Sequence, residues 1–463
     1  MNTKHLKAKI LDLAIRGKLV LQDPSEGNAA DLLKKIREEK SILIEQKKIK
    51  ADKNSSFIIK ADDGRHYEQF ADGNLIDIED DIPFEIPVNW CWCRLGSLIS
   101  IKSGDFVKVG DNQVGEYPIY GGNGINGYTS NYNINEKTII IGRVGFYCGS
   151  IHLTAGKAWI TDNAFITNFD SNILDIKYLY HLLCKLDLRS RSNSTAQPVV
   201  SGRSIYPLLI SLPPLSEQKR IVSAIEKAFE QIDIIEKNKL NLKIYIKQTK
   251  SKVLDLAIHG KLVEQNPSEG NAVDLLKIEE VIQDDIPFEI PLNWCWCRLT
   301  SLCEYGKCKN ADPSELKPDS WILDLEDIEK DTGVIKCIKT FSERNSLSTK
   351  HFFTKGTVLY SKLRPYLNKV VIAPKDGFCT SEILPLDFNG KYINTFAQKL
   401  LMSPYFLSTV NMLTYGVKMP RLGTNEAKQI LLPLPPLEEQ QRIVERIEQI
   451  FEQLYILEKS LGE

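Results

Sequence analysis

The sequence repeats itself in three pieces whose offsets disagree, and that disagreement limits the fold more than composition can. Asp80–Leu95 (DDIPFEIPVNWCWCRL) and Asp284–Leu299 (DDIPFEIPLNWCWCRL) differ only at Val88 against Leu292, at an offset of 204. LPPLSEQKRIV at Leu212–Val222 returns as LPPLEEQQRIV at Leu434–Val444, at an offset of 222. LDLAIRGKLV at Leu11–Val20 returns as LDLAIHGKLV at Leu254–Val263, at 243, and carries PSEGNA with it. Under these offsets Glu463 matches Asn241 and Met1 matches Ile244, so the second copy is split: its front half closes the chain and its back half opens it. A permuted repeat of this kind predicts a pseudo-two-fold molecule, a split that neighbouring surface termini make tolerable.

Between the frames the offset falls from 243 to 204, which measures an insertion of 39 residues in the first copy. Its start, Lys34–Lys50, reads as a charged helix and is expected to be a solvated connector, with docking of a partner as the alternative. From Leu215 to Gly260 apolar residues fall at alternating steps of four and three: Ile221, Ile225, Ala228, Ile232, Ile235, Leu242, Ile246, Val253 and Leu256, interrupted at Lys239 and Thr249. This is the seam of a coiled-coil helix. Pro213-Pro214 fixes its start and Glu217 favours the first turn. At 1.5 Å per residue the helix is a rod of roughly 65 to 70 Å. The split copy continues the same phase through Ile443, Ile447, Ile450, Leu454, Leu457, Leu461, Leu6, Ile10 and Leu13. Two such rods pack most simply as an antiparallel pair.

The blocks between the rods are rich in β-branched and aromatic residues, with strands expected at 138–141, 157–161, 356–359 and 369–373. They share almost no sequence beyond their first and last motifs, so like frames hold unlike contents. The fold expected is α+β: two mixed globular domains separated by an antiparallel two-helix coiled coil. The divisions expected are 1–36 (helix completing the second rod), 37–79 (connector insertion), 80–214 (first block), 215–283 (central helix and connector), 284–436 (second block) and 437–463 (C-terminal helix).

Composition excludes more than it selects. The chain has 463 residues, net charge −1 and no apolar run long enough to span a bilayer. MNTKHLKAKILDLAIRGK is too charged for a signal peptide, so a cytoplasmic protein with no membrane partner is expected. Ten cysteines and six histidines lack ligand spacing, and WCWC does not give the Cys-x-x-Cys geometry of zinc sites. No bound metal is expected. Phosphate-loop and amino-methyltransferase motifs are absent. Gly122–Gly127 matches G-x-G-x-x-G, but YTSNYN follows where a cofactor-binding helix would be needed.

That glycine-asparagine loop suits another task, since Asn123 and Asn126 can approach base edges and asparagine pairs well with adenine. Arg143, after the strand of IIIGRVGFYCG, can share that face. In the second block LYSKLRPYLNK interleaves Ser361, Lys362, Arg364 and Lys369 with two tyrosines, a pattern suited to phosphate contact and equally to a solvated strand edge. Loops ending at Pro198 and Pro420, aligned at offset 222, bring Gln197, Lys418 and Arg421 to the start of each rod. Phe84–Leu212 carries 11 Lys/Arg against 9 Asp/Glu and Phe288–Pro433 carries 19 against 15, small excesses that do not point to nucleic acid alone.

As a whole the pattern resembles the specificity subunits of Type I restriction-modification enzymes, over essentially the full length. The likeness rests on Pro87–Trp92 and Pro291–Trp296, the two LPPLxEQ helix starts, GGNGINGY, IIGRVG, VLYSKLRPYLNKVV, TSEILPL and MPRLG. It implies two target recognition domains, each reading half of a bipartite double-stranded DNA site, held apart by helices that bind two methyltransferase subunits; restriction subunits then join. Under that resemblance Asn123, Asn126, Arg143, Gln197, Arg203, Ser361, Lys362, Arg364, Lys369, Lys418 and Arg421 are expected to meet DNA. Glu217, Gln218, Arg220, Glu439, Gln440 and Arg442 are expected to dock partners. No catalytic residue and no cofactor are expected on this chain; S-adenosylmethionine, ATP and Mg2+ would belong to the partner subunits. Two alternatives stay open: a related system whose methylation and cleavage share one partner chain, and a scaffold that binds only proteins through its rods.

Overall fold

The computed structural model describes residues 2–46, 56–107, 115–192, 198–276, 282–344, 347–416 and 418–462. The chain divides into two compact units, Asn2–Lys237 and Asn238–Glu463, and the helix Leu215–Ile258 runs through the division. Its first turn begins right after the proline pair, with Gln218 N donating to Pro214 O at 3.0 Å. Its end is set by Gly260, at φ +66°, where Gly260 N reaches Ala257 O and Lys261 N reaches Leu256 O. This double bond around a left-handed glycine closes the carbonyl end of a helix. The N-terminal helix Thr3–Ile15 ends identically, with Gly17 at φ +65° and the same pair of bonds to Ala14 and Leu13. A Cβ here would also lie 2.4 Å from Pro87 Cγ at Gly17 and 2.3 Å from Pro291 Cγ at Gly260, so both turns demand glycine twice over.

Each unit is organised around the same ladder. In the first, Cys91–Arg94 pairs antiparallel with Leu209–Leu212; in the second, Cys295–Arg298 pairs with Leu431–Leu434. These ladders join the WCWC entry to the strand before the proline pair, and the apolar seam of the adjoining helix packs onto them. Ile221 and Ile225 enter the first core, Ile443 and Ile447 the second. The expected seam is only partly buried: Ile232, Ile246 and Val253 are covered, whereas Ile235 and Leu242 are exposed. Helix pairs are bridged in both units, by Lys7–Asp233 at 2.6 Å in the first and by Lys250–Glu458 at 2.9 Å in the second.

Although the blocks differ in sequence, both place one short strand between two antiparallel neighbours. In the first unit Ile139–Gly142 lies between Ala164–Phe169 and Ile151–Leu153, and Ile99–Ser103 extends the sheet. In the second Val358–Ser361 lies between Val370–Ile372 and Ile383–Leu386. Ile139, Ile140, Ile141, Val358 and Leu359 are fully buried, which explains their unbroken apolar runs. A second sheet accompanies each: Trp159–Ile160, Tyr117–Gly121 and Gly124–Thr129 in the first unit, and a five-stranded mixed sheet in the second.

The insertion is more than the solvated connector expected. Helix Ala29–Glu45 is followed by a three-stranded meander, Ser56–Lys60, His66–Phe70 and Leu75–Asp77. Ile58 and Ile78 pack on Trp92, and Arg94 holds Glu68 through both its oxygens, at 2.6 and 3.1 Å. Phe84 also packs on Trp92, as Phe288 does on the equivalent Trp296 of the second unit, where Tyr405 stands in place of the meander. The two units thus share one phenylalanine on this indole and differ in the rest of its cover.

All ten cysteines are free; Cys295 and Cys297 share a face with sulfurs 3.7 Å apart. Burial pushes the Cys91 thiol up to about 12, so it stays protonated and packs as an apolar group. Among the described residues no helix is long and apolar enough to cross a membrane.

Candidate nucleic-acid interface

The central strand of each block ends in a loop of the same form, built from unrelated residues. In the first unit the chain leaves Gly142, turns through Arg143–Gly149 and returns at Ser150. Gly142 N donates to Ser150 O at 2.8 Å and Cys148 N to Gly145 O at 3.0 Å, with Gly145 and Gly149 at φ +82° and +78°. In the second, Ser361 N donates to Lys369 O at 3.1 Å and Leu367 N to Arg364 O at 2.9 Å, with Arg364 and Asn368 at φ +49° and +50°. Left-handed backbone is inexpensive for glycine and tolerable for asparagine, but costs an arginine about 1 kcal/mol or more.

Each loop is tied to the segment that precedes the ladder. Gly145 N donates to Pro198 O (2.9 Å) and Val200 N to Arg143 O (2.9 Å); correspondingly, Arg364 N donates to Pro420 O (2.7 Å) and Leu422 N to Lys362 O (3.0 Å). Bridges Val144–Val199 and Leu363–Arg421 complete the match. Arg143 therefore corresponds to Lys362, Gly145 to Arg364, Tyr147 to Tyr366 and Gly149 to Asn368.

Several expected residues gather on this feature. Asn123 is exposed on the two-residue turn between Tyr117–Gly121 and Gly124–Thr129. That turn lies against the first loop, because Ser150 Oγ and His152 Nε2 both bond Gly122 O. The Gly-x-Gly-x-x-Gly stretch is thus a hairpin and opens no helix. Asn126 is exposed on the same hairpin, its amide so close over Gly121 that a Cβ there would sit 2.4 Å away. Arg143 is half-buried, donating to Ser103 Oγ and Asp162 O at 3.1 and 3.3 Å. In the second unit Lys362 and Arg364 are half-buried with no acidic partner among the described residues, and Arg364 Nε is buried without any hydrogen bond. Lys418 is exposed just before Pro420.

Other expected residues are placed differently. Ser361 is buried, its hydroxyl closing the loop onto Leu363 O at 2.8 Å. Lys369 is turned inward onto Leu325 O at 2.6 Å, and burial lowers its pKa. Both belong to the loop's foundation instead of its surface. Arg421 is held by both oxygens of Glu382, at 3.1 and 3.2 Å, and that partner raises its pKa. Arg203 is exposed on a four-residue helix and touches neither loop bond. Gln197 lies outside the described residues.

The six residues expected to dock partners form internal clamps. Glu217 and Glu439 are completely buried. Glu217 accepts from Gln22 and Asn89 at 2.7 and 3.2 Å; Glu439 accepts from Gln265, Asn293 and Trp294 at 2.6, 3.1 and 2.8 Å. Gln218 and Gln440, equally buried, each donate twice to backbone carbonyls and accept one backbone N–H. Arg220 and Arg442 grip Glu26 and Glu269 by two bonds apiece. The motif LPPLxEQxR thus fastens the helix start to the PSEGNA and WCWC segments of its own unit, a correction to the expectation that these side chains face a partner.

Sequence reasoning passed over the exposed aromatic residues of the first loop, Phe146 and Tyr147, and the separate significance of Tyr366. Arg189 lies over the Phe146 ring at 4.6 Å. Spacing alone does not signal the pair, and the equivalence of the two tyrosines is visible only once the loops are matched by their bonds to Pro198 and Pro420.

Residues 87–244 and 291–463 match the family described as Type I restriction modification DNA specificity domain. The chain is 25% identical to the Type I restriction enzyme EcoDI specificity subunit of Escherichia coli, over 82% of this chain and 85% of that one. With the EcoAI specificity subunit of the same organism it shares 23% identity over 97% and 89%. Among solved structures, the HsdS subunit from Thermoanaerobacter tengcongensis shares the fold at TM-score 0.50 and 17% identity, over 82% of this chain and 93% of that one. A chain from a study of "complex assembly and conformational transition of the type I R-M system" matches at TM-score 0.57 and 16% identity, over 82% and 94%.

Proposed function

The chain belongs to the family of type I restriction-modification DNA specificity subunits, and from that premise we propose that it reads a bipartite DNA site for a methyltransferase and restriction complex. Each block takes one half-site. The observation that carries this division is the matched pair of loops, alike in backbone and different in most side chains, each with cations that have no acidic partner among the described residues. Equal frames with different contact residues suit an asymmetric two-part target.

The long helix and its two shorter companions are proposed to pair antiparallel, fix the half-site spacing and dock two methyltransferase subunits. Contacts of Lys239 with Leu461 and of Lys250 with Glu458 support that pairing, because the sequence rises on one helix as it falls on the other. Docking would use the exposed apolar residues near the middle of the helix, such as Leu240 and Tyr245, since the motif at the helix start is internal. Adenine methylation with S-adenosylmethionine, and cleavage with ATP and Mg2+, are assigned to partner subunits in the cytoplasm. The test is selection of duplexes from a random pool by the complex of this chain with its cognate methyltransferase. Enrichment of a split motif supports the proposal; a complex that assembles but enriches nothing refutes it.

A further inference from the structure

Resting on the DNA-reading function above, we infer that Tyr147, with Phe146 beside it, and Tyr366 are the aromatic contacts through which the two loops press on a base step of their half-sites. The residues occupy equivalent places in loops related only by backbone: Tyr147 and Tyr366 each follow the left-handed residue by two positions, and each is 47% exposed. Phe146 is 68% exposed. Leaving large rings in water is unfavourable unless something covers them, and matched exposure in two unrelated sequences points to a shared occupant.

The loops hold those rings stiffly. Cys148, next to Tyr147, is buried in the first core, and Gly149 packs so tightly on Arg189 that a Cβ would sit 2.4 Å from its backbone nitrogen. Phe146 and Tyr147 meet edge to face at 5.1 Å and 84°, with the Arg189 guanidinium over the Phe146 ring. On the other loop Pro365 is buried directly before Tyr366. The setting is cationic in both cases: Arg143 and Arg189 in the first unit, Lys362, Arg364 and Lys418 in the second. A rigid aromatic tip flanked by cations fits duplex DNA, where the cations meet phosphates and the ring wedges against a deformable step. An apolar protein partner would leave those cations desolvated and unpaired. Specificity would then include step flexibility, beyond hydrogen bonds from Asn123 and Asn126.

The experiment uses the intact complex of chain and methyltransferase. Duplex selection from a random pool with the native chain supplies the motif, and affinity for that duplex is measured for Tyr147→Ala, Tyr147→Phe, Tyr366→Ala and Tyr366→Phe. Aromatic contact with a base contributes roughly 1–3 kcal/mol, so each alanine variant should bind about 5-fold to 150-fold more weakly, and each phenylalanine variant within about threefold of native. Reselection should show relaxed preference in one half-site for Tyr147→Ala and in the other for Tyr366→Ala. Alanine variants that bind and select as the native chain does would overturn the inference, as would phenylalanine variants as weak as alanine. A native complex that enriches no motif would instead overturn the DNA-reading function on which it rests.

Discussion

Replacing Glu439 with alanine should destabilise its unit more than replacing Glu217 does in the other, even though the two glutamates hold the same place in the repeated motif. Glu439 accepts three side-chain hydrogen bonds, one from the buried indole of Trp294 at 2.8 Å. Among the described residues Glu217 accepts two, and the equivalent indole of Trp90 has no hydrogen-bond partner. A hydrogen bond to a charged group contributes roughly 1.5–3 kcal/mol, and alanine recovers the several kcal/mol spent on desolvating a carboxylate. With three bonds against two, the net loss is about 3 kcal/mol for Glu439→Ala and about 1 kcal/mol for Glu217→Ala. For units of this size a kcal/mol moves the midpoint by roughly 2–4 °C, so the two variants should differ by about 4–8 °C. Thermal unfolding of the full chain followed by indole fluorescence, with limited proteolysis to identify which unit opens, measures the difference. Equal midpoints, or a larger loss for Glu217→Ala, would refute the bond-count reasoning.

Further outcomes are expected. Gly260→Ala should cost more than about 2 kcal/mol by denaturant unfolding, because it adds a Cβ at φ +66° and 2.3 Å from Pro291, whereas the exposed Gly270→Ala at φ +82° should cost less. Glu68 should make anchoring of the meander pH-dependent: burial alone would raise its pKa, but bonds from Arg94 and Ser56 outweigh that and hold it below the ordinary 4.5. Since the folded carboxyl is the more acidic, the contribution is present above about pH 4.5 and fades as pH falls through the folded value, which protease sensitivity of 56–77 between pH 3 and 6 should track. Arg364→Ala should weaken DNA binding and reduce the salt slope by about one charge, while Arg421→Ala should change the slope less because Glu382 already neutralises it; equal slopes would contradict the assignment.

The repeated frame was legible because its pieces are near-identical strings, and a repeated string must find a repeated environment. Helix Leu215–Ile258 was legible for a similar reason, with periodic apolar residues, a proline pair at one end and glycine at the other. The meander at 56–77 was not, since short polar strands such as His66–Phe70 carry weak alternation and gain their stability from Trp92 and Arg94 far along the chain. At the candidate site, residue type singled out Asn123, Arg143 and Arg364 together with Ser361 and Lys369, and could not separate surface from foundation. Ser361 and Lys369 have the chemistry of DNA contacts, yet the turn of the loop aims them inward. Likewise Glu217 and Gln218 look like surface residues of a charged helix, and only the segments folded over the helix start bury them.

The most direct test of two independent readers on one chain is single-molecule methylome sequencing of cells that express the methyltransferase with this chain, or with a version in which 84–212 is exchanged for another block. A split motif methylated on adenine in both halves, of which the exchange alters one half and leaves the other, is the predicted result. A complex that assembles and methylates, but whose motif is unchanged or altered in both halves by the exchange, would contradict the assignment of one half-site to each block.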